Sequence, residues 1–136
     1  MLEKYPQKAR LVFKNFPLNN HKLAQPAATA ALAAGNQGKF WEYHDRVFEN
    51  YNKLNEGLLE QFAQELNLDM ERFRNERLNP EITSLINRDL REASRIGVRG
   101  TPTIFVNGKR LGQRSLEAFS AAIENELKLQ KVKLRE

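Results

Sequence analysis

The chain is 136 residues long, 40% hydrophobic and 29% charged, with 22 Lys or Arg against 17 Asp or Glu and no Cys. That is enough chain for one domain with a core of its own, and the lack of Cys excludes disulfide scaffolds, cysteine zinc sites and cysteine nucleophiles. No apolar run approaches the ~18–20 residues that span a bilayer, and Met1-Leu2-Glu3-Lys4-Tyr5-Pro6 lacks the apolar stretch of a signal peptide, so neither a membrane partner nor an export signal is expected.

Ala9 to Phe16 is the first patterned segment. Leu11, Val12 and Phe13 form a continuous apolar run that suits a short strand buried on both faces, and Pro17 stops it. The pattern then turns helical. Ala24 to Ala34 is Ala-rich, with Pro26 tolerable in a first turn. Gly35 and Gly38 bracket a break. Lys39 to Tyr51 sets Phe40, Tyr43, Val47 and Phe48 at helical spacing, which predicts an aromatic stripe facing a core. Asn55 can cap the next helix, whose stripe is Leu58, Leu59, Phe62, Ala63 and Leu66. Asp69 caps a short helix holding Met70 and Phe73. Asn79-Pro80 is a cap followed by proline at the first helical position. That helix carries Ile82, Leu85, Ile86, Asp89, Leu90, Ala93 and Ile96, and Gly97 ends it.

Thr103 to Val106 is strand-like, Asn107-Gly108 predicts a type I′ hairpin turn, and Lys109 to Leu111 is a short polar return strand. Ser115 caps a last helix with Leu116, Phe119, Ala122, Ile123 and Leu127 on its inner face. The order is strand, helical block, hairpin, helix. With no repeat, linker or low-complexity stretch, residues 1–136 read as a single domain.

The net charge of +5 is spread along the chain, with Lys and Arg interleaved among Asp and Glu. Even the densest stretch, Lys128 to Arg135, includes Leu129, Val132 and Leu134. This is a solvated surface, and no nucleic-acid partner is expected. His21 and His44 have no ligand spacing, so no metal is expected. Gly35-Asn36-Gln37-Gly38-Lys39 is too short between its glycines for a phosphate loop, and Phe40 stands where Ser or Thr should follow the lysine. Trp41, Tyr43, Phe40 and Phe48 fit helix packing better than a platform for stacked bases. No catalytic constellation and no cofactor site can be assembled.

Thr101-Pro102 follows Gly100 and leads into a strand. X-Pro bonds lose most of the usual trans preference, so cis and trans are both open. A cis bond would leave the Thr101 backbone pointing outward, where it could hydrogen-bond an extended peptide. A trans bond would simply start an edge strand.

Three blocks in order carry a family resemblance: Arg10-Leu11-Val12-Phe13-Lys14-Asn15-Phe16-Pro17-Leu18, Gln37-Gly38-Lys39-Phe40-Trp41-Glu42-Tyr43-His44-Asp45, and Gly97-Val98-Arg99-Gly100-Thr101-Pro102-Thr103-Ile104-Phe105-Val106-Asn107-Gly108. From Tyr5 to Leu127 the chain resembles the DsbA-like thioredoxin-fold family of thiol-disulfide oxidoreductases. The resemblance implies an α/β, thioredoxin-like fold with a small mixed sheet and a large helical insertion at about residues 22–97. It implies that Pro102 is the family's cis-proline, with Gly100 and Thr101 beside it as peptide-contacting residues. It also implies a bacterial envelope location, which nothing else in the sequence indicates.

Family members begin with a strand and a Cys-x-x-Cys motif opening a long helix. By resemblance this chain starts near the end of that helix, at Leu2 to Pro6, so the first strand and the redox helix are expected to be missing. Thiol exchange needs a thiolate, and without Cys no redox activity is expected. The absent strand would lie between Leu11–Phe13 and Thr103–Val106, leaving buried backbone groups unmet at ~1–3 kcal/mol each. Three fillings follow: direct antiparallel pairing of the two strands, a second copy of the chain giving a homodimer, or a longer native protein that holds the missing part. The function expected is a cysteine-free domain binding extended peptide or a partner protein at Gly100, Thr101 and Pro102. The alternative is the major part of an oxidoreductase whose redox centre lies outside these residues.

Overall fold

A computed structural model describes residues 2–134; Arg135, the last cation of the basic tail, lies outside them. The described chain forms two compact units. One is Lys14–Arg99, and the other joins the residues up to Phe13 to those from Gly100 onward.

The Lys14–Arg99 unit is helical: α1 (Ala24–Gly35), α2 (Phe40–Glu49), α3 (Glu56–Glu65), α4 (Met70–Arg77) and α5 (Pro80–Arg95). α1 packs against all four of the others. It can do so because Ala27, Ala30, Ala31, Ala33 and Ala34 bury almost no bulk, letting larger side chains from every side reach its backbone. Those side chains are Tyr43, Leu59, Phe62, Leu68, Phe73, Ile82 and Ile86, all buried. The Tyr43 ring meets Phe62 edge-on at 6.0 Å and Phe73 at 5.9 Å. Its hydroxyl donates to the Leu59 carbonyl at 2.9 Å, so the one polar atom of this large side chain is satisfied inside the core.

The caps fall where the residue pattern puts them. The side chains of Asn55, Asp69 and Asn79 accept from the backbone N–H groups of Leu58, Arg72 and Glu81. Each satisfies one of the donors that a helix start leaves orphaned. α5 ends at Gly97 with φ +78°, and the Val98 N–H folds back onto the Ala93 carbonyl at 2.8 Å.

The stripes are narrower than expected. Phe48 is 60% exposed, because five residues at about 100° each carry it roughly 140° around α2 from Tyr43. Leu85 and Ile96 are exposed as well.

In the other unit, β1 (Phe105–Val106) and β2 (Lys109–Arg110) form an antiparallel pair, Phe105 opposite Arg110 and Val106 opposite Lys109. Asn107 (φ 47°) and Gly108 (φ 79°) make the turn between them, the two positive φ values of a type I′ turn. α6 (Leu116–Lys133) starts at Ser115, whose hydroxyl accepts from the Ala118 N–H at 3.1 Å. Glu126 of α6 accepts from Lys109 Nζ at 2.5 Å and from Asn107 Nδ2 at 3.3 Å. Glu124 accepts from the Tyr5 hydroxyl at 2.7 Å and pairs with Lys4, tying the short 3₁₀ turn Leu2–Lys4 to the helix. On α6 Ile123 is buried but Leu116 is exposed, so its inner face is shorter than the sequence stripe.

The expected Leu11–Phe13 strand does not form. Residues 9–18 take no ladder partner among the described residues, and Leu11, Val12 and Phe13 are 54%, 61% and 38% exposed. The expected direct pairing of this segment with Thr103–Val106 is likewise absent among the described residues. A strand is made by its neighbours: an apolar run needs a ladder on its edges and covers on its faces, and propensity alone supplies neither. For the same reason the sheet of the described residues is a two-stranded antiparallel ribbon with no parallel component.

Candidate functional site

Gly100, Thr101 and Pro102 lie together in the loop that leads into β1. Gly100 is partly buried, while Thr101 and Pro102 are exposed. The Thr101–Pro102 peptide bond is cis. The Thr103 hydroxyl donates to the Gly100 carbonyl at 2.7 Å, closing the loop on itself from residue 100 to 103. That bond spends the Gly100 acceptor internally. The N–H and C=O of Thr101 carry no hydrogen bond among the described residues.

The hairpin register extends this open backbone. The Leu111 N–H donates to the Ile104 carbonyl at 2.8 Å, so the bonds between β1 and β2 run through residues 104 and 106. In an antiparallel pair the residues between bonded positions turn their N–H and C=O to the opposite edge. Those residues are Thr103 and Phe105, and β1 has β2 as its one ladder neighbour among the described residues. Thr103 and Phe105 therefore present their backbone groups along one open edge, and the unbonded backbone of Thr101 precedes it in the loop.

The charge here that has no ion-pair partner among the described residues is cationic. Arg110, opposite Phe105, is exposed, and so is Arg114; neither has an ion-pair partner among the described residues. Lys109 is engaged by Glu126. The hydrogen bond from Lys109, with that from Asn107, holds the Glu126 carboxyl below the usual carboxylate range.

Two features of the helical unit carry no such opening. Asp89 on α5 is buried and accepts from both the backbone N–H and the side-chain Nδ2 of Asn15, each at 2.9 Å, with Lys14 Nζ at 3.9 Å. The sequence names Asp89 among the residues this helix carries, but its partner 74 residues earlier gives no sequence signal. His44 is partly buried, has its Nδ1 3.0 Å from Asp45 Oδ1 and stacks on Phe48 with ring centroids 4.5 Å apart. Trp41 lies 5.4 Å from it, and is 42% exposed. The aromatic residues of α2 are thus divided. Tyr43 is core, while Trp41, His44 and Phe48 line a second face, legible as an i, i+3, i+7 spacing. Among the described residues no three His, Asp or Glu side chains converge to hold a metal ion.

A thioredoxin family model matches residues 1–125. The chain belongs to the DsbA-like thioredoxin family. It superposes on the crystal structure of a thioredoxin-like oxidoreductase from Silicibacter pomeroyi with a TM-score of 0.74 and 28% identity, covering 87% of this chain and 68% of that one. It is 29% identical over 129 residues to the probable disulfide bond formation protein D of Bacillus anthracis, covering 89% of this chain and 59% of that protein. It is 41% identical over 116 residues to the Na(+)/H(+) antiporter NhaA 3 of Salinispora tropica, covering 84% of this chain and 18% of that protein. The chain thus spans about a fifth of the antiporter relatives it matches and somewhat over half of the disulfide bond formation protein. Within a family of oxidoreductases, this sequence has no cysteine.

Proposed function

We propose that this chain is a peptide- or protein-binding member of its family that takes an extended segment at Gly100, Thr101 and Pro102 and carries out no thiol exchange of its own. The observation that carries the reading is Thr101, exposed and with no backbone hydrogen bond among the described residues, in the loop that leads into the open edge of β1. Extended peptides bind such edges through main-chain hydrogen bonds, each worth ~0.5–1.5 kcal/mol net. Thiol-disulfide exchange requires a thiolate to attack a sulfur, and no residue of this sequence supplies one. Insulin reduction by the 136-residue chain is expected to be nil, and thiol-dependent turnover would refute the non-catalytic half of the proposal. For the binding half, an extended peptide should shift the Thr101 and Thr103 amides, and silence there counts against it.

A homodimer belongs to the same proposal, because a second copy would cover the exposed Leu11, Val12 and Phe13. Light scattering should then give twice 15.8 kDa, and a monomer at working concentration removes it. A second reading is favoured by the greater length of the oxidoreductase-type relatives. In it these residues are the peptide-holding part of a thiol-disulfide oxidoreductase whose sulfur centre lies outside residues 1–136. Coding sequence for a Cys-x-x-Cys segment in frame with Met1 would establish it.

A further inference from the structure

We infer that the segment taken at this edge is acidic: an extended stretch of another protein whose Asp or Glu residues flank the part that pairs with Thr101, Thr103 and Phe105. This rests on the peptide-binding reading above and adds the class of ligand. Between Glu92 and Glu117 the sequence holds Arg95, Arg99, Lys109, Arg110 and Arg114 and not a single Asp or Glu. The stretch from Lys4 to Lys39 also lacks Asp and Glu; what sets the later stretch apart is that it holds the open strand β1 together with the exposed Arg110 and Arg114.

The structure shows what the excess does. Lys109 is used internally by Glu126. Arg110 and Arg114 are exposed and have no ion-pair partner among the described residues. Arg110 shares a face of the hairpin with Phe105, since the two are directly opposite in the ladder. A ligand strand laid along β1 thus meets the Phe105 ring and, across the ladder from it, the Arg110 guanidinium, with the exposed Arg114 four residues further along the chain. Guanidinium forks bind carboxylates in bidentate fashion, and a one-signed rim selects partners and speeds encounter more than it adds raw affinity. The chain's own extended segment is a poor occupant of this edge. It carries Lys8, Arg10 and Lys14, which would add like charge, so the occupant is a foreign acidic segment and not that strand of a second copy.

The test uses the whole chain and three synthetic peptides with one shared apolar centre, flanked by Asp and Glu, by Ser, or by Lys, and a short single-stranded oligonucleotide as a competing polyanion. Binding is followed at the Thr101 and Thr103 amides by NMR. The acidic peptide should bind ~3- to 10-fold tighter than the Ser-flanked one, the range expected of a few exposed charge pairs. That advantage should vanish in ~1 M salt, where the Debye length falls to ~3 Å, and in the double variant Arg110→Gln, Arg114→Gln. The double variant should still bind the Ser-flanked peptide as the parent does, which shows that the fold and the edge are intact. Equal affinity for all three peptides overturns the acidic preference while leaving peptide binding in place. No shift with any peptide overturns both. Shifts with the oligonucleotide alone overturn the peptide assignment in favour of a nucleic acid.

Discussion

The helical unit holds more than twice as much regular structure as the hairpin unit, and the two hold themselves together differently. In the helical unit five helices share one core around the small face of α1, and thirteen buried residues form a single apolar cluster. In the hairpin unit the buried apolar side chains among the described residues are Tyr5 and Ile123. Its order rests on polar ties instead: Tyr5 and Lys4 to Glu124, and Asn107 and Lys109 to Glu126. Burial stabilises by area and is insensitive to acid, whereas exposed hydrogen bonds and ion pairs contribute little each and respond to pH and salt. The lesson is that the lightly held unit presents the open backbone, as binding elements commonly do.

Substitutions can break this contrast. The largest effect is expected inside the helical unit. Asp89→Ala strands the buried N–H and Nδ2 of Asn15 and should cost ~3–5 kcal/mol in urea unfolding, with Asp89→Asn costing less because its amide oxygen can still accept. Phe73→Ala, at a fully buried position, should cost ~3–5 kcal/mol by the cavity it leaves. Losses below ~1 kcal/mol at both positions would show that the helical unit is not the stable one. Smaller is Gly108→Ala, which forces a Cβ into φ +79° and should cost ~1 kcal/mol, read as faster amide exchange in β1 and β2 and unchanged exchange in α1.

The smallest effect concerns acid. The carboxyls of Glu124 and Glu126 are held below the ordinary range, Glu124 first by the Tyr5 hydroxyl and then by Lys4, Glu126 first by Lys109 and then by Asn107. A depressed carboxyl contributes stability that is fully present above its unfolded value near ~4.3 and is lost as pH falls through the lower folded value. Amide exchange of the hairpin should therefore quicken below about pH 4 while α1 stays protected. Equal loss in both units on the same titration would contradict the division.

How much of this could be read from residues alone follows the same division. The helical unit was legible almost throughout, because its caps at Asn55, Asp69 and Asn79 and its 3.6-residue apolar spacing are local facts of the chain. So were the Asn107-Gly108 turn and Ser115. Leu11 to Phe13 was misread, since a strand exists only through its neighbours, and residues that look built for burial stay exposed where no ladder reaches them. Phe48 and Leu116 failed more modestly: each has the right chemistry for a core but lies at the wrong angle or too near a helix end. The Gly100–Pro102 loop stands out in the sequence through family resemblance and turn chemistry together. What no pattern announced was the tie from Asn15 to Asp89, because a hydrogen bond across 74 residues has no period.

The central claim is that a sequence without cysteine keeps the peptide-holding edge of a redox family. The most direct measurement is an amide-resolved titration of the chain with a cysteine-free extended peptide under reducing conditions. The account predicts saturable shifts concentrated at Thr101, Thr103 and Phe105, with the α1 amides of Ala30 and Ala33 unmoved. A chain whose Thr101 and Thr103 amides stay still at saturating peptide, or whose shifts fall in the helical unit alone, would contradict it.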